Sequence, residues 1–206
     1  MISAAEALDR LREGNRRFVN GETLVDASIS HLQRPDMTAA QNPFAIILAC
    51  SDSRVPTELI FDQGIGDLFV IRVAGNVVAP SQIGSIEFAA TQFGTKLVVV
   101  LGHSKCGAVI ATLNELAKQE SHRSPNLRAI VDRIRPAVEP TLAEHNDDEF
   151  ELVIDKAVRA NVVRSVARLE HGSQIVENLI EQGELQVIGA EYSIESGEID
   201  FFEAQQ

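Results

Sequence analysis

Several residue types are scarce or missing in this sequence, and each deficit narrows the classes of protein that it can encode. The 206 residues include no tryptophan, one tyrosine and two cysteines, so the chain can form at most one internal disulfide. No apolar run approaches the roughly 20 residues that a membrane-spanning helix needs. Basic residues are outnumbered by acidic ones, 18 to 30, and the net charge of −12 argues against a surface for nucleic acid or anionic membranes.

The start of the chain also lacks the features of a secretory signal, because M-I-S-A-A-E contains neither a basic nor an extended apolar segment. We therefore expect a cytoplasmic protein. The length and the hydrophobic content of 45% support one sizeable core, which predicts a single domain over residues 1–206. Residues 1–43 predict a helical arm, since S-A-A-E at 3–6 resembles a capping box and helical periodicity continues to about Gly21. We expect this arm to pack on a neighbouring subunit.

Four mainly apolar runs, at 44–49, 68–73, 97–101 and 185–190, predict strands. The run at 44–49 is continuously apolar, which is typical of a strand buried on both faces of a parallel sheet. Segments with helical periodicity separate the four runs. A final turn leads into residues 198–202, which predict an antiparallel edge strand. The pattern predicts an α/β fold, with a mainly parallel central sheet flanked by helices and a C-terminal antiparallel edge strand. In such folds the functional residues lie at the carboxyl ends of the strands.

Both cysteines stand in short polar motifs that directly follow two of these runs, C-S-D-S-R-V-P at 50–56 and H-S-K-C-G at 103–107. Cys50, His103 and Cys106 offer two sulfurs and one nitrogen, the ligand atoms that zinc prefers. Because neighbouring parallel strands end side by side, we expect these three side chains to meet. Three protein ligands leave a fourth position open, which is typical of a catalytic rather than a structural zinc site.

The first motif also contains an acid and a base two residues apart, Asp52 and Arg54. In an extended chain this spacing places both on one face, where carboxylate and guanidinium can form a bidentate pair. Asp52 is also close enough to Cys50 to become a fourth metal ligand. The sequence leaves both outcomes open: Asp52 held by Arg54 keeps the site open, and Asp52 released would close it.

These two motifs resemble the signature motifs of the β-class carbonic anhydrases, and the likeness extends over nearly the whole chain. The resemblance implies zinc bound by Cys50, His103 and Cys106, with Asp52 and Arg54 as a catalytic dyad. It implies reversible hydration of carbon dioxide to bicarbonate by attack of a zinc-bound hydroxide. It also implies a homodimer or homotetramer with active sites near the subunit interface.

The same resemblance suggests a substrate pocket and a subtype. Gln41, nine residues before the first ligand, resembles the substrate-binding glutamine of the plant-like subtype, and Ile47 stands where the allosteric bicarbonate-binding subtype has tryptophan. Phe69 matches an apolar pocket residue, and Phe88 stands where plant-like enzymes commonly have tyrosine. Gly107, next to a predicted ligand, would let the substrate approach closely.

Two other functions fit the same residues. A relative with the same ligands could hydrolyse carbonyl sulfide or carbon disulfide, because pocket shape selects the substrate. A non-catalytic zinc, bicarbonate or redox sensor would instead have a closed site with four ligands.

Overall fold

The computed structural model describes residues 2–24, 41–118, 124–145 and 149–203 of the chain. Their helices and strands alternate along most of the sequence. The helices are α1 (Ala4–Asn20), α2 (Thr57–Ile60), α3 (Pro80–Phe93), α4 (Gly107–Lys118), α5 (Pro125–Glu144), α6 (Phe150–Glu170) and α7 (Gln174–Glu181), with one 3₁₀ turn at Ala74–Asn76. The strands are β1 (Ala45–Ala49), β2 (Leu68–Arg72), β3 (Leu97–His103), β4 (Gln186–Tyr192) and β5 (Ile199–Phe202).

The five strands form one sheet in the order β2-β1-β3-β4-β5. The first three pairings are parallel, and β4 pairs with β5 in the antiparallel sense. The predicted fold class is therefore confirmed, including the antiparallel edge strand. The strand register aligns Ala49 of β1 with Leu101 of β3, so the residues that follow these two strands emerge at the same edge of the sheet.

The central strands are buried because helices cover both faces of the sheet. Every residue of β1 and β3 is buried. On one face, side chains of α1 and α2 pack against the sheet, as Leu11 and Ile60 do. On the other face, side chains of α3, α6 and α7 form a second apolar cluster, which includes Ile86 and Val162. Continuous apolar runs suit such two-sided burial.

The predicted start and end of the first helix are confirmed. Ser3 and Glu6 form a reciprocal capping box, and Gly21 ends the helix in a left-handed conformation. This helix packs on the body of its own chain: Leu11 is fully buried, and the Asn15 side chain donates to the carbonyl groups of Ile60 and Gly197. The packing of the arm on a neighbouring subunit stays a prediction, and its residues 25–40 lie outside the described part of the chain.

The predicted start and end of the second helix differ from the structure. The sequence predicts Pro56 inside the first turn of a helix that continues through Phe61, but Pro56 is the N-cap residue and α2 ends at Ile60. The helix stops there because Asp62 takes a left-handed backbone conformation, with φ at 47°.

The proline-containing segment after α4 is helical, as expected, and Pro136 and Pro140 lie within α5 on its exposed side.

In the part of the chain that the structure describes, no helix has both the length and the apolar composition needed to cross a membrane.

Candidate metal centre

Three buried side chains meet where β1 and β3 end. The sulfur atoms of Cys50 and Cys106 and a ring nitrogen of His103 all lie within 4.8 Å of one another. None of the three residues is more than 5% exposed. The strand register explains the meeting: Cys50 follows Ala49, His103 ends the neighbouring strand, and Cys106 follows after a tight turn into α4.

The backbone of the 3₁₀ turn supports Cys50. The N–H of Gly75 donates to the Cys50 sulfur over 3.3 Å, and the Gly75 carbonyl accepts from the Asn161 side chain of α6 over 2.9 Å. Gly75 has φ at 68°, and a Cβ atom there would lie 2.7 Å from Cδ1 of Ile134. The turn therefore requires glycine. Sequence reasoning missed this contribution, although the A-G-N that follows β2 was a visible signal.

The hydrogen bonding of His103 leaves one ring nitrogen available for a metal. Its Nδ1 lies 2.9 Å from the carbonyl oxygen of Ser104, which can only accept, so Nδ1 carries the proton. Its Nε2 is buried, and no hydrogen-bond partner for it lies among the described residues. A buried ring nitrogen that faces two sulfurs is the arrangement that a metal ion would complete.

The loop between His103 and Cys106 is tied to the β4–β5 turn. The Ser104 N–H donates to the Tyr192 carbonyl over 2.9 Å, and the Ser104 hydroxyl accepts from the N–H of Ile194 over 3.0 Å. Lys105 pairs with Glu195 over 2.5 Å and has φ at 55°. These contacts fix the Ser104 carbonyl that orients His103. They join residues about 90 positions apart in the chain, and no sequence signal indicated them.

The Cys50 and Cys106 side chains are hydrogen-bonded to each other, and their pKa values move in opposite directions. A hydrogen bond from the Cys106 thiol lowers the pKa of Cys50, with smaller contributions from His103 and the Gly75 N–H. The pKa of Cys106 is raised because its thiol donates to Cys50 and is buried. Binding of a divalent cation would displace any thiol proton and give two thiolates. The donor set therefore fits zinc, which prefers thiolate and imidazole ligands.

Asp52 and Arg54 form the bidentate pair that their spacing predicts. Arg54 donates from Nε to Oδ1 over 2.9 Å and from Nη2 to Oδ2 over 2.8 Å, and its backbone N–H donates to Oδ1 over 3.0 Å. The Arg54 hydrogen bonds lower the pKa of Asp52, so this carboxyl is ionised at neutral pH. Oδ2 stands 3.9 Å from Nε2 of His103. The carboxylate is thus beside the ligand cluster but is held by the arginine.

The predicted substrate residues occupy different places. Gly107 is the first residue of α4, next to Cys106, and a Cβ atom there would meet nothing within 4 Å. Gln41 is exposed and precedes β1, whereas Cys50 follows it, and Phe44 and Cys50 are separated by roughly 20 Å of extended chain. Gln41 therefore lies toward the opposite edge of the sheet from the cysteines of its own chain.

Phe69 and Phe88 form an aromatic cluster with Phe93 instead. The ring centroids of Phe69 and Phe88 are 6.3 Å apart, and Phe88 is 49% exposed. Phe69 pairs with Ile46, four residues before Cys50, which corresponds to roughly 13 Å along the strand. Within one chain the structure does not bring Gln41, Phe69 or Phe88 to the ligand cluster, and their role in substrate binding stays a prediction.

The sequence and the fold are both similar to known proteins. Residues 45–199 match the model of a family described as carbonic anhydrase. A carbonic anhydrase of Mycolicibacterium smegmatis is 38% identical over 192 residues, which cover 92% of this chain and 89% of that protein. A β-carbonic anhydrase of Aspergillus fumigatus, CafA, superimposes with a TM-score of 0.77 at 28% identity, over 87% of this chain and 86% of that one.

A third relative supports the fold alone. One of two tetrameric β-carbonic anhydrases of Sordaria macrospora superimposes with a TM-score of 0.74 at 24% identity. The match covers 85% of this chain and 89% of that one.

Proposed function

The chain belongs to the β-carbonic anhydrase family, and from that premise we propose that it is a zinc enzyme that reversibly hydrates carbon dioxide to bicarbonate and a proton. The observation that carries this proposal is the buried cluster of two thiols and an imidazole nitrogen beside an ionised carboxylate. Cys50, His103 and Cys106 would hold the ion. When bound, zinc acts as a Lewis acid and lowers the pKa of a water that it coordinates.

Asp52 and Arg54 have separate roles in this proposal. Oδ2 of Asp52, the carboxylate oxygen nearest to His103, accepts the hydrogen bond that orients the attacking water. Arg54 keeps that carboxylate ionised and prevents it from becoming a fourth ligand, because it donates to both of its oxygens. The dyad therefore keeps one position at the metal available for catalysis.

The carbon dioxide pocket requires a second copy of the chain. Gly107 lies at the ligand cluster, but Gln41, Phe69 and Phe88 lie away from it in the same chain. We therefore propose that these three side chains complete the site of a neighbouring subunit in a homodimer or homotetramer. Tetramers are described for the Sordaria macrospora relatives. Gln41 and Ile47 favour the plant-like subtype.

The two cysteines also favour a location. Both are free thiols, and a disulfide between them would remove two of the three proposed ligands. A reducing compartment preserves them, and the cytoplasm is the location that we propose.

Stopped-flow measurement of carbon dioxide hydration by zinc-loaded protein between about pH 6 and 9 tests the proposal. We expect hydration that requires both zinc and Cys50, with a Cys50→Ser variant as the inactive control. Hydrolysis of carbonyl sulfide or carbon disulfide without hydration of carbon dioxide would favour a sulfur-substrate enzyme. A zinc-loaded protein that turns over neither substrate class would favour a sensor and contradict the proposal.

A further inference from the structure

A cavity of about 290 Å³ lies between the N-terminus of α3 and the helices α5 and α6. Its lining includes none of the residues of the metal centre. Three arginines line it: Arg133 from α5, and Arg164 and Arg168 from α6. Arg164 and Arg168 are four residues apart, so they project from the same face of their helix. Three cations from two helices thus face one space.

The charge of these arginines is largely unbalanced within the described residues. Arg164 and Arg168 form no ion pair there, whereas Arg159 of the same helix pairs with Asp200 over 2.7 Å. Asp132 is the acidic residue among those that line the cavity. Three guanidinium groups and one carboxylate give the lining a formal charge of +2. A cationic cavity is unusual in a chain with 30 acidic and 18 basic residues, because carboxylates that could neutralise its arginines are abundant.

The N-terminus of α3 adds to this positive environment. Residues 77–80, which include the start of the helix, line the cavity, and no side chain caps the first turn of this 14-residue helix. Pro80 has no N–H, and the N–H groups of Gln82 and Ile83 donate to the Ala79 carbonyl, so this helix start contributes mainly through its dipole. The dipole places partial positive charge at this end of the helix. The arginines and the helix start therefore favour the same class of ligand, an anion with several oxygens.

We propose that this cavity binds a phosphate dianion, either free inorganic phosphate or the phosphate group of a small monoester. The formal charge of the lining matches that of a dianion. Guanidinium groups present paired N–H donors that fit two phosphate oxygens at once, which a single point charge cannot do. A cavity of about 290 Å³ also leaves room beside the phosphate group for a small organic substituent.

Isothermal titration calorimetry of the zinc-loaded protein with sodium phosphate at about pH 8 tests this, with ionic strength held constant by sodium chloride. The test variant carries Arg164→Gln and Arg168→Gln. The control carries Arg12→Gln and Arg16→Gln, which remove two exposed charges from α1. We expect saturable binding that weakens about tenfold or more in the test variant and by less than about twofold in the control.

If phosphate titrations release the same heat with the wild type and the test variant, the proposal is overturned, because the anion then binds elsewhere, for example at the metal. Heat no greater than that of added chloride would also overturn it. Circular dichroism checks that the double variant is folded, and Arg133→Gln alone gives a second test from the other helix. Tighter binding of glycerol 3-phosphate than of inorganic phosphate, through the same arginines, would identify a monoester as the ligand, and equal binding would identify free phosphate.

Discussion

Replacing Gly75 by alanine should damage both the fold and the metal centre, for reasons that can be separated. Gly75 has a left-handed backbone, with φ at 68°. A Cβ atom there would lie 2.7 Å from Cδ1 of Ile134 and 3.1 Å from Cβ of Ala108. Its N–H also donates to the sulfur of Cys50. The substitution therefore adds backbone strain, a steric clash and a displaced hydrogen-bond donor.

The magnitude can be built from these parts. A left-handed backbone costs a residue with a Cβ atom roughly 1–2 kcal/mol. Forcing an extra carbon into a packed core costs about 1–3 kcal/mol more. Gly183 offers a matched control, since its φ is 70° and a Cβ atom there would meet nothing within 4 Å. Gly183→Ala should therefore lose only the backbone part, and Gly75→Ala the sum of about 2–5 kcal/mol.

Denaturant unfolding of the zinc-free proteins under reducing conditions measures the free energies, and competition with a chelator measures zinc affinity. We expect zinc affinity to fall about tenfold in Gly75→Ala, because the support of a ligand is displaced, and to stay unchanged in Gly183→Ala. Adding Ile134→Val removes the clashing Cδ1 atom, so the double variant should lose less stability than the sum of the two single variants. Equal losses of stability in Gly75→Ala and Gly183→Ala, with equal zinc affinities, would refute the reasoning.

Three further predictions concern other parts of the chain. Arg54→Ala removes two of the three hydrogen bonds that Arg54 donates to Asp52, and it should slow carbon dioxide hydration at unchanged zinc content. Arg16→Ala, which breaks a similar bidentate pair on α1, is the control. Full activity in Arg54→Ala would contradict the proposed dyad. Arg17→Met leaves the buried carboxylate of Asp62 without its arginine, and it should lower the free energy of unfolding by about 3–5 kcal/mol. Denaturant titrations measure this loss. A loss below about 1 kcal/mol would show that the pair contributes little to stability. Burial raises the pKa of Glu191, so its ionisation destabilises the fold as pH rises above 4.5, its ordinary value. Glu191→Gln should gain stability relative to the wild type as pH rises from 4.5 through the raised pKa of Glu191, and the difference should then stay constant. A difference that does not change with pH would count against this.

Much of the fold follows from local patterns. The apolar runs, the capping box at the first helix and the final hairpin turn predict their elements closely, because each depends on residues adjacent in sequence. The end of α2 was predicted less well. Phe61 continues the apolar pattern, but the left-handed conformation of Asp62 ends the helix, and Asp62 takes that place while accepting a hydrogen bond from Arg17, 45 residues earlier.

The meeting of Cys50, His103 and Cys106 was also predictable, since these residues are chemically distinctive and follow strands that a parallel sheet places side by side. The contacts that hold these residues in place were not predictable. Gly75 reaches Cys50 from 25 residues away, and Ser104 is held by a hairpin about 90 residues later. Hydroxyl groups and backbone amides occur throughout any chain, so no residue type marks these contacts in advance.

By itself the sequence determined the kinds and order of the elements, the three residues that meet in the buried cluster and the resemblance to one family, because these depend on residue chemistry and local periodicity. Only the tertiary structure decided that Asp52 is held by Arg54, that His103 presents Nε2 to the sulfurs, and that Gln41 lies toward the other edge of the sheet. Each of these depends on the direction of a side chain in space. Directions are set by packing and hydrogen bonds between segments that are distant in sequence, and such contacts exist only after the chain has folded.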